Sequence, residues 1–369
     1  MKKLRQSLES LQGIRAAAVT LAVGAVGGFI ALLLHVPTPW MIGSMLATMV
    51  CTLSGVPLRL SAEPQRLTSV LISAMIGCSF TADIFANAGR WGISMMAVAV
   101  FTVIATLAIA QYLSRVARFG PVTSFFASAP GDVANMVIAG RAMGGDDRVI
   151  ALVHALRMAL LTLIVPFALL LAGTELSGTT VRAHLVDLTI FDGGILLACA
   201  VGGYFLGCLV KSPLGIMFAP MILSAIAHLT GFTSARAPSG ITDISQIVIG
   251  AGVGCRFFGY GIRRVIQVLG QGGVSNLLLL LAAGGVAWAL SVATGLNLTA
   301  LVLSFAPGSL SQMTLISLSM GLDTAFVTTH HIVRLICIIV VTPILCKMMI
   351  GRMPPRDEAA DAEKAKTSS

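Results

Sequence analysis

The chain has 369 residues, 56% of them hydrophobic and 11% charged, with a mean hydropathy of +0.93. Those values lie outside the range of soluble globular domains and inside that of helical membrane proteins, which excludes a soluble enzyme or soluble binding module as the reading of the whole chain. A net charge of +9 would point to nucleic acid in a soluble domain, but here the cations sit at the termini and in short loops between apolar stretches, where they set topology.

From the N-terminus, MKKLRQSLESLQGIR is followed by AAAVTLAVGAVGGFIALLLH. That apolar run is longer than the core of a secretory signal and no small-residue cleavage site follows, so a first transmembrane helix is predicted. Helical spans are predicted at roughly 14–35, 39–55, 66–85, 91–113 and 147–173, with a Pro-Gly segment between the fourth and fifth. After the polar linker TELSGTTVRAHLVD come spans at roughly 190–210, 213–231, 241–258, 273–294 and 323–349, and a polar tail, 351–369, predicted to be disordered and cytoplasmic. One membrane domain, 1–350, fills the chain, in an all-α fold. The seven cysteines fall in apolar stretches without a C-x-x-C pair and read as small packing residues.

The second half repeats the first. At an offset of 177 residues, SAPGDVANMVIAGRAMGGDDRVIALVHALR aligns without gaps with the stretch that begins APGSLSQMTLISLSMGLDTAFVTTHHIVR. Ala129, Pro130, Gly131, Met136, Met143, Gly144, Asp146, His154, Arg157 and Pro166 pair with Ala306, Pro307, Gly308, Met313, Met320, Gly321, Asp323, His331, Arg334 and Pro343, and these are rare residue types rather than Leu and Val. IGCSF pairs with VGCRF at the same offset, and AVGGF with AVGGY at 175. The two repeats span about 13–173 and 190–350.

Loop charges decide whether each Pro-Gly segment crosses the membrane or turns back. If it returns as a re-entrant hairpin, each half has five spans and the halves are inverted. Both termini, Arg59, Arg66, Arg115, Arg118, Arg141, Arg148, Lys211, Arg256, Arg263 and Arg264 then lie inside, with only Arg90, Arg182 and Arg236 outside. The expectation is therefore two inverted repeats of five transmembrane helices, each with a re-entrant Pro-Gly hairpin, in the bacterial inner membrane with both ends cytoplasmic. Inverted repeats with paired breaks are the architecture of secondary transporters. A simple kink or a tight packing site is the alternative for a single Pro-Gly.

On the fifth span, Asp146, Ile150, His154 and Arg157 share one helical face, and Asp323, Val327, His331 and Arg334 repeat the spacing. An arginine about 15 Å into a membrane helix must face the interior and find a partner. That partner is either an anionic ligand or a structural group, such as a carbonyl freed by the opposite Pro-Gly break. Asp146 and Asp323 stand where they can cap their helices. His154 and His331 are either satisfied structural histidines or proton carriers. At the tips, Pro130, Gly131, Asp132 and Asn135 face Pro307, Gly308, Ser309 and Gln312 as candidate substrate-binding groups, with the half-helix N-termini turned toward an anion. Asp132 is also a candidate for a coupling ion or proton.

GAVGG, GAGVG, MIGSM and MILSA read as helix-packing sites. No motif for a nucleotide, a metal or a catalytic triad occurs, so no enzyme activity, cofactor or metal is expected.

The duplicated APG segment, the two Gly-x-Asp helix starts followed by H-x-x-R, and the pair IGC and VGC make the chain resemble the membrane AbrB family from about residue 15 to 350. The resemblance implies a label of regulator of gene expression, or for some members ammonia monooxygenase. It does not extend to the soluble DNA-binding proteins of the same name, since the basic residues here form no patch or reading helix.

The expected function is a secondary transporter, of elevator type, for a small anionic or zwitterionic metabolite such as a carboxylate. The second expectation is a membrane ligand sensor that regulates gene expression indirectly. The partners expected are a small molecule and the lipid bilayer, with no nucleic acid. A homodimer is compatible with this reading, though oligomeric state has no signature in the sequence.

Overall fold

A computed structural model of the chain describes residues 2–80, 82–131, 133–171, 190–210, 213–233, 235, 239–260 and 262–350. The inter-repeat linker and the tail lie outside the described residues, as does Asp132. Among the described residues the regular structure is helical throughout.

The first half comprises α1 (Lys2–Leu33), α2 (Pro39–Leu53), α3 (Ala62–Gly77), α4 (Ala82–Arg115), α5 (Pro121–Ser128), α6 (Val133–Ala142) and α7 (Asp147–Leu171). The second comprises α8 (Ile190–Leu209), α9 (Pro213–Leu229), α10 (Ser239–Cys255), α11 (Ile262–Val268), α12 (Val274–Thr294), α13 (Leu298–Phe305), α14 (Leu310–Ser319) and α15 (Thr324–Ile350), with a π turn, Leu269–Gly273, joining α11 to α12.

Among the described residues, six segments are long and apolar enough to cross a membrane: Gly13–Leu33, Gly89–Arg115, Asp147–Leu171, Phe191–Leu209, Leu269–Thr294 and Thr324–Thr342. The second and third predicted spans of each half are shorter helices of 15, 16, 17 and 17 residues (α2, α3, α9 and α10), about 22 to 26 Å long. The predicted span 66–85 is divided, because α3 stops at Gly77 and α4 starts at Ala82. Hydropathy does not see that turn, since Phe80 and Ile84 carry the apolar signal past it.

Large apolar side chains stand exposed along the long helices, including Val26, Phe29 and Ile30 on α1, Phe205 and Leu209 on α8, and Leu281 and Trp288 on α12. In water such faces would associate; against hydrocarbon they are the outer surface. The protein is embedded in the membrane.

The helices pack as two bundles. In the first, α2 lies along α10 and α3 along α9, so the second helix of each half packs on the third helix of the other, with α1 and α8 outside. Glycines make this possible. A Cβ on Gly43 would come within 2.2 Å of the Gly27 carbonyl oxygen, one on Gly254 within 2.1 Å of Thr48 Oγ1, and one on Gly207 within 2.5 Å of the Gly215 carbonyl oxygen. The small-residue strings read from the sequence are close helix contacts of this kind.

The second bundle holds α4 to α7 and α11 to α15. Its distinctive parts are two pairs of short helices, α5 with α6 and α13 with α14, of 8 and 10 residues in each pair. Ten residues reach only about 15 Å, half the hydrocarbon thickness. Ala129 (φ −62°, ψ 122°) and Ala306 (φ −56°, ψ 127°) end α5 and α13 in extended conformation, because each precedes a proline whose ring disfavours the helical region for its neighbour. Few contacts join the bundles; α14 against α10 and α3 is the main one.

Candidate functional site

Breaking a helix inside a membrane frees backbone carbonyls, each costly to leave unpaired in hydrocarbon. The fifth long helix of each half supplies the donors. Arg157 Nη2 donates to the carbonyls of Ala127 (2.7 Å) and Ser128 (3.1 Å), and Nη1 reaches that of Ala129 at 3.4 Å. Arg334 Nη1 donates to the Ala306 carbonyl and Nη2 to that of Gly308 at 2.6 Å. One turn earlier, His154 Nε2 donates to the Phe126 carbonyl (2.9 Å) and His331 Nε2 to the Leu303 carbonyl (3.1 Å). All four residues are buried.

Four of these contacts, Arg157 to Ala129, Arg334 to Ala306, His154 to Phe126 and His331 to Leu303, reach back 28 residues, so the sequence repeat is also a repeat of interactions. The structural partner expected for each arginine is present, but it is the break of its own half rather than the opposite one. The reason is connectivity: α5 and α6, or α13 and α14, precede the arginine helix directly and fold back along it. His331 is held from both sides, donating at Nε2 and accepting from Arg334 Nη2 at Nδ1, which is the pattern of a neutral imidazole.

The two arginines then diverge. Arg157 Nε donates to Asn276 Oδ1 on α12 (3.0 Å), and Asn276 Nδ2 donates in turn to the Val153 carbonyl. The position equivalent to Asn276 beside Arg334 is Ala99 on α4, which offers no side-chain acceptor. Arg157 thus has a further partner on another helix, whereas Arg334, held by its own break and His331, also lines a cavity.

That cavity, of about 220 Å³, is lined by Pro130 and Gly131 of one break and by Gly308 and Ser309 of the other. Asn135, Ser311 and His331 add polar groups, and Met158, Leu310 and Leu335 add apolar ones. Gly131 with Gly308, and Met158 with Leu335, are pairs at the repeat offset, so the cavity sits where the halves meet. Ser69 on α3 and Met217 on α9 complete it from the first bundle. A Cβ would come within 2.9 Å of Met136 Cε at Gly131 and within 2.5 Å of Met313 Cε at Gly308, so a larger residue at either position would have to push that methionine aside.

Pro307, Gln312, His154 and Arg157 are not part of this lining. Gln312 Nε2 turns instead toward α7, donating to the Met158 carbonyl (3.0 Å) and to Thr162 Oγ1, which ties the second break to the first half. Its Oε1 is buried without a partner. Ser309 caps α14, accepting from the Gln312 backbone N–H at 3.3 Å. Asp146 Oδ1 accepts from the N–H groups of Arg148 (3.0 Å) and Val149 (3.1 Å), and Asp323 Oδ1 from that of Phe326 (3.0 Å), the geometry of helix N-caps.

Two ion pairs among the described residues, Arg66 with Glu63 and Arg141 with Asp147, are both well exposed. The two buried guanidiniums are therefore balanced by carbonyl dipoles rather than by a described carboxylate.

Sequence reasoning missed Ser69, Met158, Met217 and Leu335, which carry no motif. Asn276 had a signal, a lone amide inside an apolar span. Arg256, read as a loop cation, turns inward: its Nη1 donates to Met158 Sδ at 2.8 Å.

Two broken-helix pairs meeting at a cavity of mixed polar and apolar lining define a duplicated helical membrane protein. The chain matches the family described as Transition state regulatory protein AbrB over residues 40–350, and it belongs to that family. It is 25% identical over 335 residues to the "Putative regulator AbrB" of Escherichia coli (strain K12), covering 89% of this chain and 94% of that one. It is 24% identical over 348 residues to "Uncharacterized protein YhjN" of Bacillus subtilis (strain 168), covering 88% and 90%. No solved structure matches the chain.

Proposed function

We propose that this protein is a secondary transporter for a small anionic or zwitterionic metabolite, working by an elevator movement of the second bundle against the first. The observation that carries the reading is the cavity between the two breaks, where Arg334 presents a buried cation without a described carboxylate partner. Two bundles with few mutual contacts suit a rigid-body movement. The site has its breaks and Arg334 on one bundle and Ser69 and Met217 on the other.

In this proposal the halves are inverted and the short-helix pairs are re-entrant hairpins. The exchanged packing of α2 on α10 and α3 on α9, together with the loop charges, supports that arrangement. A cysteine placed at Ala142 is then labelled from the cytoplasm and one at Ser319, its equivalent, from outside, each in a cysteine-free background. Labelling of both from one side overturns the inversion.

Transport itself is tested by counterflow in proteoliposomes over a panel of carboxylates, amino acids and inorganic anions. Flux is expected in the wild type and its loss in Arg334→Gln with the fold retained; folded protein without substrate-dependent flux removes the reading. A second reading, a membrane ligand sensor acting on gene expression, is favoured by the regulator name of the Escherichia coli relative. It predicts ligand binding without net flux.

A further inference from the structure

We propose that the cavity takes a small monocarboxylate with an apolar tail. This rests on the anion reading of the same site and narrows it. Three observations carry it.

The first is the number of cations. Both arginines hold the carbonyls of their own break, but Arg334 also lines the cavity, whereas Arg157 is outside the lining and turned onto Asn276. One guanidinium matches one carboxylate. A second carboxylate on the same ligand would lie against hydroxyls and apolar side chains without a cation to offset its desolvation.

The second is the rest of the wall. Met158, Met217, Leu310 and Leu335 are apolar, and thioether side chains adapt to tails of differing shape.

The third is size. About 220 Å³, at roughly 30 Å³ for each water-sized unit, holds on the order of seven or eight non-hydrogen atoms. That corresponds to a carboxylate of about six carbons.

The test is calorimetric titration of the full-length protein in lipid nanodiscs. The probes are straight-chain monocarboxylates of increasing length, dicarboxylates and α-amino acids of matched length, and phosphate and sulfate. Binding is expected to tighten about fourfold per added methylene up to about six carbons and to weaken beyond. The matched dicarboxylate is expected to bind at least about tenfold more weakly, the cost of burying an unpaired charge. The double variant Met158→Ser, Met217→Ser should flatten the dependence on chain length while keeping carboxylate binding. Arg334→Gln should abolish binding at every length.

A flat series, or tighter binding of the dicarboxylate or amino acid, overturns the monocarboxylate assignment. If those ligands or phosphate and sulfate bind and are lost in Arg334→Gln, the anion site stands and only its class is wrong. If nothing in the panel binds to well-folded protein, both fall together.

Discussion

The two bundles solve different problems with the same apolar alphabet. In the first, buried polar side chains are small hydroxyls and one glutamine, Gln246, and glycines let backbones touch: Gly27 against Gly43, Gly250 and Gly254 against α2, Gly203 and Gly207 against α9. In the second, the buried polar set includes Arg157, Arg334, His154, His330, His331, Asn276 and Gln312. Close backbone packing makes a rigid body at no electrostatic cost. Broken helices need donors for their freed carbonyls, so the second bundle must carry charge into the membrane interior. Neutral buried polar groups in one bundle and buried guanidiniums in the other follow from which of the two contains the helix breaks.

Substitutions can break this contrast, and the largest effect is expected in the first bundle. Gly43→Val drives a side chain into the Gly27 carbonyl, where both neighbours are backbone and neither can yield. Loss of monodisperse, folded protein on size-exclusion chromatography is expected. Gly92→Ala on α4, where nothing lies within 4 Å, should leave the elution profile unchanged.

Next in size is Arg157→Ala, which strands the carbonyls of Ala127 and Ser128 and the Asn276 side chain. A loss of about 3 kcal/mol is expected, read as a lowered thermal midpoint in detergent. Arg157→Lys should recover little of it, since one ammonium cannot replace a planar fork that reaches several acceptors.

Asp146→Ala and Asp323→Ala each remove a helix cap and should cost about 1 kcal/mol, with Asp146 the larger because it accepts two N–H groups rather than one. The smallest effect is expected for Gln312→Leu. It gives up the amide bonds to Met158 and Thr162 but also removes the buried, unpartnered Oε1, so the thermal midpoint should shift by less than about 1 kcal/mol equivalent. A large loss there would show that the tie between the second break and α7 matters more than its hydrogen bonds suggest.

The sequence by itself determined the class of protein and its inner repetition. Apolar composition requires lipid, and the recurrence of Ala-Pro-Gly, Asp, His and Arg at one offset marks paired breaks with paired polar helices. It determined the caps as well, because a cap is a contact over two or three residues. It did not reveal the turn at residues 78–80, since hydropathy averages over a window longer than a turn.

What only the tertiary structure decided depends on partners far apart in the chain. Arg157 and Arg334 look alike in sequence, and their difference lies in Asn276 and Ala99, on α12 and α4. Ser69, Met158 and Met217 become neighbours of the same cavity only once α3, α7 and α9 pack. Local periodicity fixes which face of a helix is polar; which of two equivalent faces meets the cavity is fixed by the side chains that other helices bring to it.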